Sequence, residues 1–253
     1  MKFNCFPKKQ EMYLVYSNYK VFRSKLFLDL TLQSSPKSSN FYRFLKSNIG
    51  YYFSSFFQVS INSPNDNQDY IGIVKKENYT FFEIDEFNNP TNVWRKSNNK
   101  WTKEKFIGYQ LISEYSLNEF NIKYKVIENS LKKHWIAVNK NLSNIHGDLT
   151  HFNILINKEK ETIFIDKKSI NHSKIFDFFY FFSYINQCVN RTMKLKESDK
   201  IIIVNNLKNI IKKTCKYKSF NEFEIDFLNM DIPSKHGLKD VEFHKNKFLE
   251  IFS

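Results

Sequence analysis

The sequence predicts an α+β fold in two lobes, a small β-rich N-terminal lobe over residues 1–87 and a larger, mainly helical C-terminal lobe over residues 88–253. Three observations lead there. The hydrophobic period changes from two to about 3.6 part-way along the chain. A polar stretch, Asn88 to Lys100, collects Asn, Pro, Ser and charge where the change occurs and reads as a connector, with the boundary near Phe87. And 253 residues with 42% hydrophobic content can bury a sizeable core, as one domain or as two lobes.

In chain order, Met12 to Leu32 alternates as strands do, with Tyr13, Val15, Val21, Phe22, Phe27, Leu28, Leu30 and Leu32 interrupted by a turn at Ser17-Asn18. Ser38 or Ser39 is placed to cap a helix carrying Phe41, Phe44, Leu45, Ile49 and Tyr52. Tyr70 to Val74 and Tyr79 to Ile84 form strands around Lys76-Glu77-Asn78. Beyond the connector, Thr102 is expected to cap a helix with Phe106, Ile107, Leu111 and Ile112. A second amphipathic helix carries Ile127, Leu131, His134, Trp135 and Val138. His134 sits on its apolar stripe, reads as a packed, hydrogen-bonded residue, and receives no chemical role. Helices close the chain, one over Ile201 to Ile211 and a last one with Val241, Phe248 and Leu249.

Composition narrows the function classes. The first thirty residues have no uninterrupted apolar run, so no secretory signal is expected and the chain is placed in the cytoplasm. The most apolar stretch, Ile175 to Ile185, is about half the length of a bilayer span and contains Asp177. Cys5, Cys188 and Cys215 are odd in number and far apart, which suggests neither a disulfide framework nor a zinc site. The net charge of +13 fits a polyanion partner, but Lys, Asn, Ile and Phe are all abundant and all have A/T-dominated codons. Base composition is therefore the preferred account, and no specific nucleic acid is expected.

The chemistry concentrates in Ile145 to Asp166, which reads loop, strand, turn, strand. Phe152 to Ile156 and Thr162 to Ile165 are β-prone runs around a charged turn, so a hairpin brings Asn153 and Asp166 together. Asp148 lies five residues before Asn153 on the preceding loop. Two carboxylates and a carboxamide then converge, as phosphoryl transfer requires. Magnesium takes hard oxygen ligands beside phosphate oxygens and water, and a second carboxylate can accept the proton of an attacking hydroxyl. Each residue alone could as well cap a turn or end a strand; it is the ordered combination that points to function.

The run His146-Gly147-Asp148-Leu149 with Asn153, then Ile165-Asp166, then Ile175-Phe176-Asp177-Phe178-Phe179-Tyr180 resembles the aminoglycoside-phosphotransferase and choline-kinase-like branch of the protein-kinase-like superfamily. The resemblance implies a bilobal protein-kinase-like fold, ATP and Mg2+ as cofactors, Asp148 as catalytic base, Asn153 and Asp166 as metal ligands, and His146 and Asp177 bracing the loop. Thr150, following the loop's apolar residue, is similar to a subset associated with surface-polysaccharide or lipopolysaccharide biosynthesis, although Lys167 stands where that subset usually has an aromatic residue. The implied acceptor is a hydroxyl on a small molecule or glycan, with an anionic membrane surface or glycolipid as a further partner.

For the N-terminal lobe the resemblance implies a phosphate-pairing strand lysine, for which Lys25 is the candidate beside Lys20 and Arg23, and an adenine-binding hinge at Asp85, Glu86 and Phe87. The first glycine is Gly50 and no glutamate lies between Glu11 and Glu77, so a glycine-rich loop is absent and the helix glutamate is missing or replaced by another residue. Two rival classes stay open: a catalytically silent, pseudokinase-like binding protein, and a binder of nucleic acid or of a membrane surface.

Overall fold

The computed structural model describes residues 1–8, 12–24, 26–27, 51–52, 54, 56–75, 78–112, 115–168, 173–192, 195–230, 232 and 238–252. The protein is α+β and divides into two compact units, Met1–Ile107 and Gly108–Ser253. The division falls well beyond the Phe87 boundary expected from the sequence.

The first unit is built on a seven-stranded sheet of strands β1 (Lys2–Lys8), β2 (Met12–Tyr16), β3 (Gln58–Ser60), β4 (Asp69–Lys75), β5 (Asn78–Ile84), β6 (Pro90–Ser97) and β7 (Lys100–Lys105). Their order is β3-β1-β2-β4-β5-β6-β7, and every neighbouring pair is antiparallel. The β4–β5 hairpin follows the predicted alternation, with Val74 opposite Tyr79 and Gly72 opposite Phe81. Phe3, Cys5, Val15, Tyr70, Val74 and Phe81 form the core of this unit. Phe81 lies over Gly72, where an added Cβ would stand 2.5 Å from its ring. A tyrosine and two phenylalanines, Tyr16, Phe22 and Phe27, gather in a further aromatic cluster with Tyr51.

Three expectations for this unit are corrected. Asn88 to Lys100 is not a connector: the chain turns at Asp85–Asn88 and continues into β6 and β7. Of the asparagines that resembled a linker, Asn88, Asn98 and Asn99 lie in turns, while Asn92 is paired within β6. Asn98 and Asn99 have φ of 50° and 62°, the consecutive left-handed pair that a tight hairpin turn needs and that Asn tolerates. Thr102 lies within β7, opposite Arg95, rather than capping a helix, because Lys100–Lys105 completes its backbone pairing against β6. Val21 and Phe22 are in a short helix, α1 (Tyr19–Phe22), not a strand, since Asn18 Oδ1 accepts the Val21 N–H at 3.0 Å and starts a helical turn. Of Phe41, Phe44, Leu45, Ile49 and Tyr52, expected on one helix, only Tyr52 is among the described residues, and it is helical, as is its neighbour Tyr51.

The second unit opens with β8 (Tyr109–Gln110) and α2 (Leu117–Lys140), followed by β9 (Ile154–Ile156), β10 (Thr162–Phe164), α3 (Phe176–Arg191), α4 (Glu197–Thr214), α5 (Phe220–Leu228) and α6 (Val241–Leu249). The strands form a three-stranded sheet in the order β10-β9-β8. Ser116 caps α2 by accepting the Glu119 N–H at 3.2 Å, and the predicted stripe of Ile127, Leu131, His134, Trp135 and Val138 is buried. Nearly all of α3 is buried, which explains why Ile175 to Ile185 is so apolar without being a membrane span. No helix among the described residues is long and apolar enough to cross a membrane. The helices expected at Ile201 to Ile211 and from Val241 form α4 and α6, while α5 was not singled out from its sequence.

Lys174, just ahead of α3, ties this unit together. Its ammonium lies over the rings of Trp135 and Tyr217, at 5.8 and 4.8 Å, and pairs with Glu222 and Asp226 at 2.9 and 3.5 Å. Cation–π attraction and ion pairing of a half-buried lysine so join the start of α3 to α2 and α5.

Candidate functional site

The site is assembled where the end of α2, the β9–β10 hairpin and the first turn of α3 meet. After α2 the chain passes through a single 3-10 turn, Leu142–Asn144, and the buried Ile145 to reach His146-Gly147-Asp148. Gly147 has φ of 77°, a left-handed conformation that a side chain would strain, so glycine here serves the bend.

Asp177, fully buried in the first turn of α3, holds this bend. Its Oδ2 accepts the His146 N–H at 2.6 Å and bonds His134 Nε2 at 2.7 Å, while its Oδ1 accepts the Gly147 N–H at 2.8 Å. A carboxylate buried without partners would be costly, and these donors offset that cost. His134 is therefore a packed, bonded residue whose service is to Asp177, a connection its sequence position did not disclose.

His146 is fixed on the other side. Its Nε2 donates to the Ile165 carbonyl at 2.7 Å and its Nδ1 accepts the Asp148 N–H at 3.3 Å, a pair that needs the neutral ring protonated on Nε2. Burial favours that neutral form by holding the imidazole below its ordinary range, against the opposing pull of the Ile165 bond. His146 thus links the Asp148 loop to the strand end that precedes Asp166.

The hairpin forms but is shorter than the alternation predicts, because His151–Asn153 is a 3-10 turn and the strands cover only Ile154–Ile156 and Thr162–Phe164, with Phe164 opposite Ile154 and Ile163 opposite Leu155. Beyond the ladder, the Ile165 N–H donates to the Asn153 carbonyl at 2.9 Å, so Asn153 and Asp166 stand at the same end. Asn153 Nδ2 donates to the Asp148 carbonyl at 2.7 Å. That bond assigns the amide orientation and leaves Oδ1 to act as an acceptor. Asp166 is exposed, with φ of 57°. Asn153 is thus bonded directly to the Asp148 backbone and, through Ile165, stands beside the residue that precedes Asp166.

Among the described residues no group of three or more His, Cys, Asp and Glu side chains is placed to hold a metal ion. A magnesium ion bound with a nucleotide does not require one, since phosphate oxygens and water fill most of its shell. Asn153 Oδ1 and the Asp166 carboxylate are hard oxygen donors at one end of the hairpin, and that donor chemistry fits such an ion.

Two residues at Asp148 were not foreseen. Lys168 Nζ pairs with Asp148 Oδ2 at 2.6 Å, and the Lys168 backbone N–H donates to the His146 carbonyl at 2.8 Å. Tyr180 of α3 is buried, and burial first, then the charge and hydrogen bonding of Asp148, push its phenol well above its ordinary range. Tyr180 could have been found from helical spacing, because it lies three residues after Asp177 and shares its face. No local pattern marks Lys168.

The residues proposed in the N-terminal part are placed differently. Lys25 lies outside the described residues. Asp85, Glu86 and Phe87 form the exposed turn between β5 and β6. Asp85 Oδ1 accepts the N–H groups of Phe87 and Asn89 at 2.9 and 2.8 Å, and the Asp85 N–H donates to the Asn89 carbonyl at 2.9 Å. Lys20 Nζ donates to the Glu86 carbonyl. These backbone groups serve a hairpin inside the sheet, and the junction between the units lies at Ile107 and Gly108. No family model, no curated protein and no solved structure matches this chain.

Proposed function

We propose that this chain is an ATP- and magnesium-dependent phosphotransferase that phosphorylates a hydroxyl of a small molecule or glycan-type acceptor, in a bilobal protein-kinase-like arrangement. The observation that carries this reading is the support given to Asp148. A buried aspartate accepts two consecutive backbone N–H groups of the His-Gly bend, and an asparagine amide is bonded to the Asp148 carbonyl. A turn that merely ended a strand would not need such anchoring from another helix, whereas a group that must meet a substrate within tenths of an ångström does.

In this reading Asp148 accepts the proton of the acceptor hydroxyl as its oxygen attacks the γ-phosphorus. The new O–P bond forms while the bond to the β,γ-bridging oxygen breaks, and ADP leaves. Asn153 Oδ1 and the Asp166 carboxylate would hold a magnesium ion, which would neutralise the triphosphate charge when bound. His146 and Asp177 do not react but hold Asp148 in place.

The test separates the two carboxylates by role. Asp148→Asn keeps shape and loses proton acceptance, so Mg·ATP binding is retained while turnover falls on the order of 10²- to 10⁴-fold. Asp166→Ala loses metal-dependent binding itself, and Asn153→Ala is intermediate. Titration calorimetry of Mg·ATP beside steady-state ADP release measures both. Equal binding of ATP in magnesium and in excess chelator would refute the metal-bridged site, and binding without turnover in the unaltered protein would favour the pseudokinase-like alternative.

A further inference from the structure

Resting on that reading, we infer that Lys168 is a phosphate-directed cation which alternates between the catalytic carboxylate and the transferred phosphoryl group, so that nucleotide arrival releases Asp148. Two groups beside Asp148 differ in how firmly they are held. Tyr180 comes from a buried helix and cannot leave. Among the described residues, Lys168 is held at its backbone by the 2.8 Å bond to the His146 carbonyl and at its side chain by Asp148 alone, and that side chain is 56% exposed while that of Asp148 is 17% exposed. A four-carbon stem pivoting on a fixed backbone can redirect its ammonium at small cost in contacts.

The position of the pivot supplies the direction. Lys168 follows Asp166 by two residues, so its ammonium is tethered beside the strand end where the triphosphate and its metal are held in this reading. On Asp148 the ammonium takes a carboxylate oxygen at 2.6 Å, and a lone pair engaged by that cation is not available to a substrate hydroxyl. The γ-phosphoryl group carries more negative charge than one carboxylate and spreads it over its equatorial oxygens during transfer, where a cation is of most use. Moving from one anion to the other, Lys168 frees the base and meets the developing charge in a single displacement. The bonds made and broken in the reaction are unchanged by it.

Lys168→Met and Lys168→Arg test this, with folding checked by circular dichroism and melting, since an exposed side chain is replaced. Binding of Mg·ATP and of Mg·ADP is compared by calorimetry, and kcat and KM for ATP are measured on the same proteins. The inference expects Lys168→Met to weaken Mg·ATP about tenfold while leaving Mg·ADP nearly unchanged, because the contact is to the γ-phosphoryl group. It expects kcat to fall on the order of 10²-fold, with partial recovery in Lys168→Arg. A purely structural lysine would not distinguish ATP from ADP. Unchanged ATP binding and kcat in Lys168→Met would overturn the inference, and so would faster turnover, which would make Lys168 only an obstruction of the base. If the unaltered protein binds no Mg·ATP, the phosphotransferase reading fails first and takes this inference with it.

Discussion

Replacing Asp177 gives the most direct measure of how the His146–Asp148 loop is held. Asp177→Ala leaves three donors without an acceptor: the N–H groups of His146 and Gly147, bonded at 2.6 and 2.8 Å, and His134 Nε2 at 2.7 Å. Each orphaned buried donor costs about 1–3 kcal/mol, and some relaxation toward water is expected, so a total near 4 kcal/mol is a reasonable central figure. A domain of ordinary stability has about 5–15 kcal/mol, so the variant folds but is marginal. Its melting temperature should fall by roughly 8–16 °C. Asp177→Asn keeps one accepting oxygen and sets an NH2 group against a donor, for a loss of about 2 kcal/mol. His134→Leu removes one partner and keeps much of the packing against Phe164 and Phe178, for about 1 kcal/mol. Urea unfolding followed by circular dichroism ranks the three, and hydrogen exchange at the His146 and Gly147 amides locates the damage. An Asp177→Ala variant within about 1 kcal/mol of the unaltered protein, with those amides still protected, would refute the reasoning.

Two further outcomes are expected. Gly72→Ala should destabilise the sheet by about 3 kcal/mol, because the new Cβ would stand 2.5 Å from the Phe81 ring and 2.8 Å from Val15 Cγ2, both fully buried. Denaturant unfolding measures it, and adding Phe81→Leu should recover part of the loss; no change in stability would show that the ring can retreat. His151 is fully buried, and burial pushes its imidazole down from the ordinary 6.5 to about 3. With the folded value depressed, the unfolded chain binds the extra proton, so stability is complete above about pH 6.5 and falls as pH drops toward 3. The loss between pH 7.5 and pH 5 should be about 2 kcal/mol from this residue. His151→Gln, which keeps a hydrogen-bonding partner for Tyr115, should flatten that part of the stability profile, and an unchanged slope would remove His151 as its source.

Local pattern was sufficient wherever an element's own side chains determine its state. The stripe from Ile127 to Val138 has helical spacing because one face of α2 must enter the core, and the same spacing would be read in any context. The β4–β5 hairpin announces itself through alternation around a polar turn. The bend at His146-Gly147-Asp148 and the hairpin bearing Asn153 and Asp166 were legible for the same reason, each being short and punctuated by its own turn residues.

Tertiary structure decided what depends on partners distant in sequence. Asn98-Asn99 has the composition of a linker, and only the pairing of β6 with β7 makes it a hairpin turn. Val21 and Phe22 alternate well enough for a strand, but the Asn18 cap bends them into a helical turn. The link from His134 through Asp177 to the Gly147 bend spans residues on α2, α3 and the loop between them, and no window of sequence contains all three. Lys168 reaches Asp148 because the hairpin folds back and its backbone bonds to His146, a closeness created by long-range hydrogen bonds rather than by spacing. Sequence by itself determined the α+β content and the hairpin that stands Asn153 and Asp166 at one end, since both follow from periods and turns of a few residues. The position of the unit boundary, the anchoring of the loop and the cation beside Asp148 were decided only when packing brought separate segments together, because contact energies act through space and not along the chain.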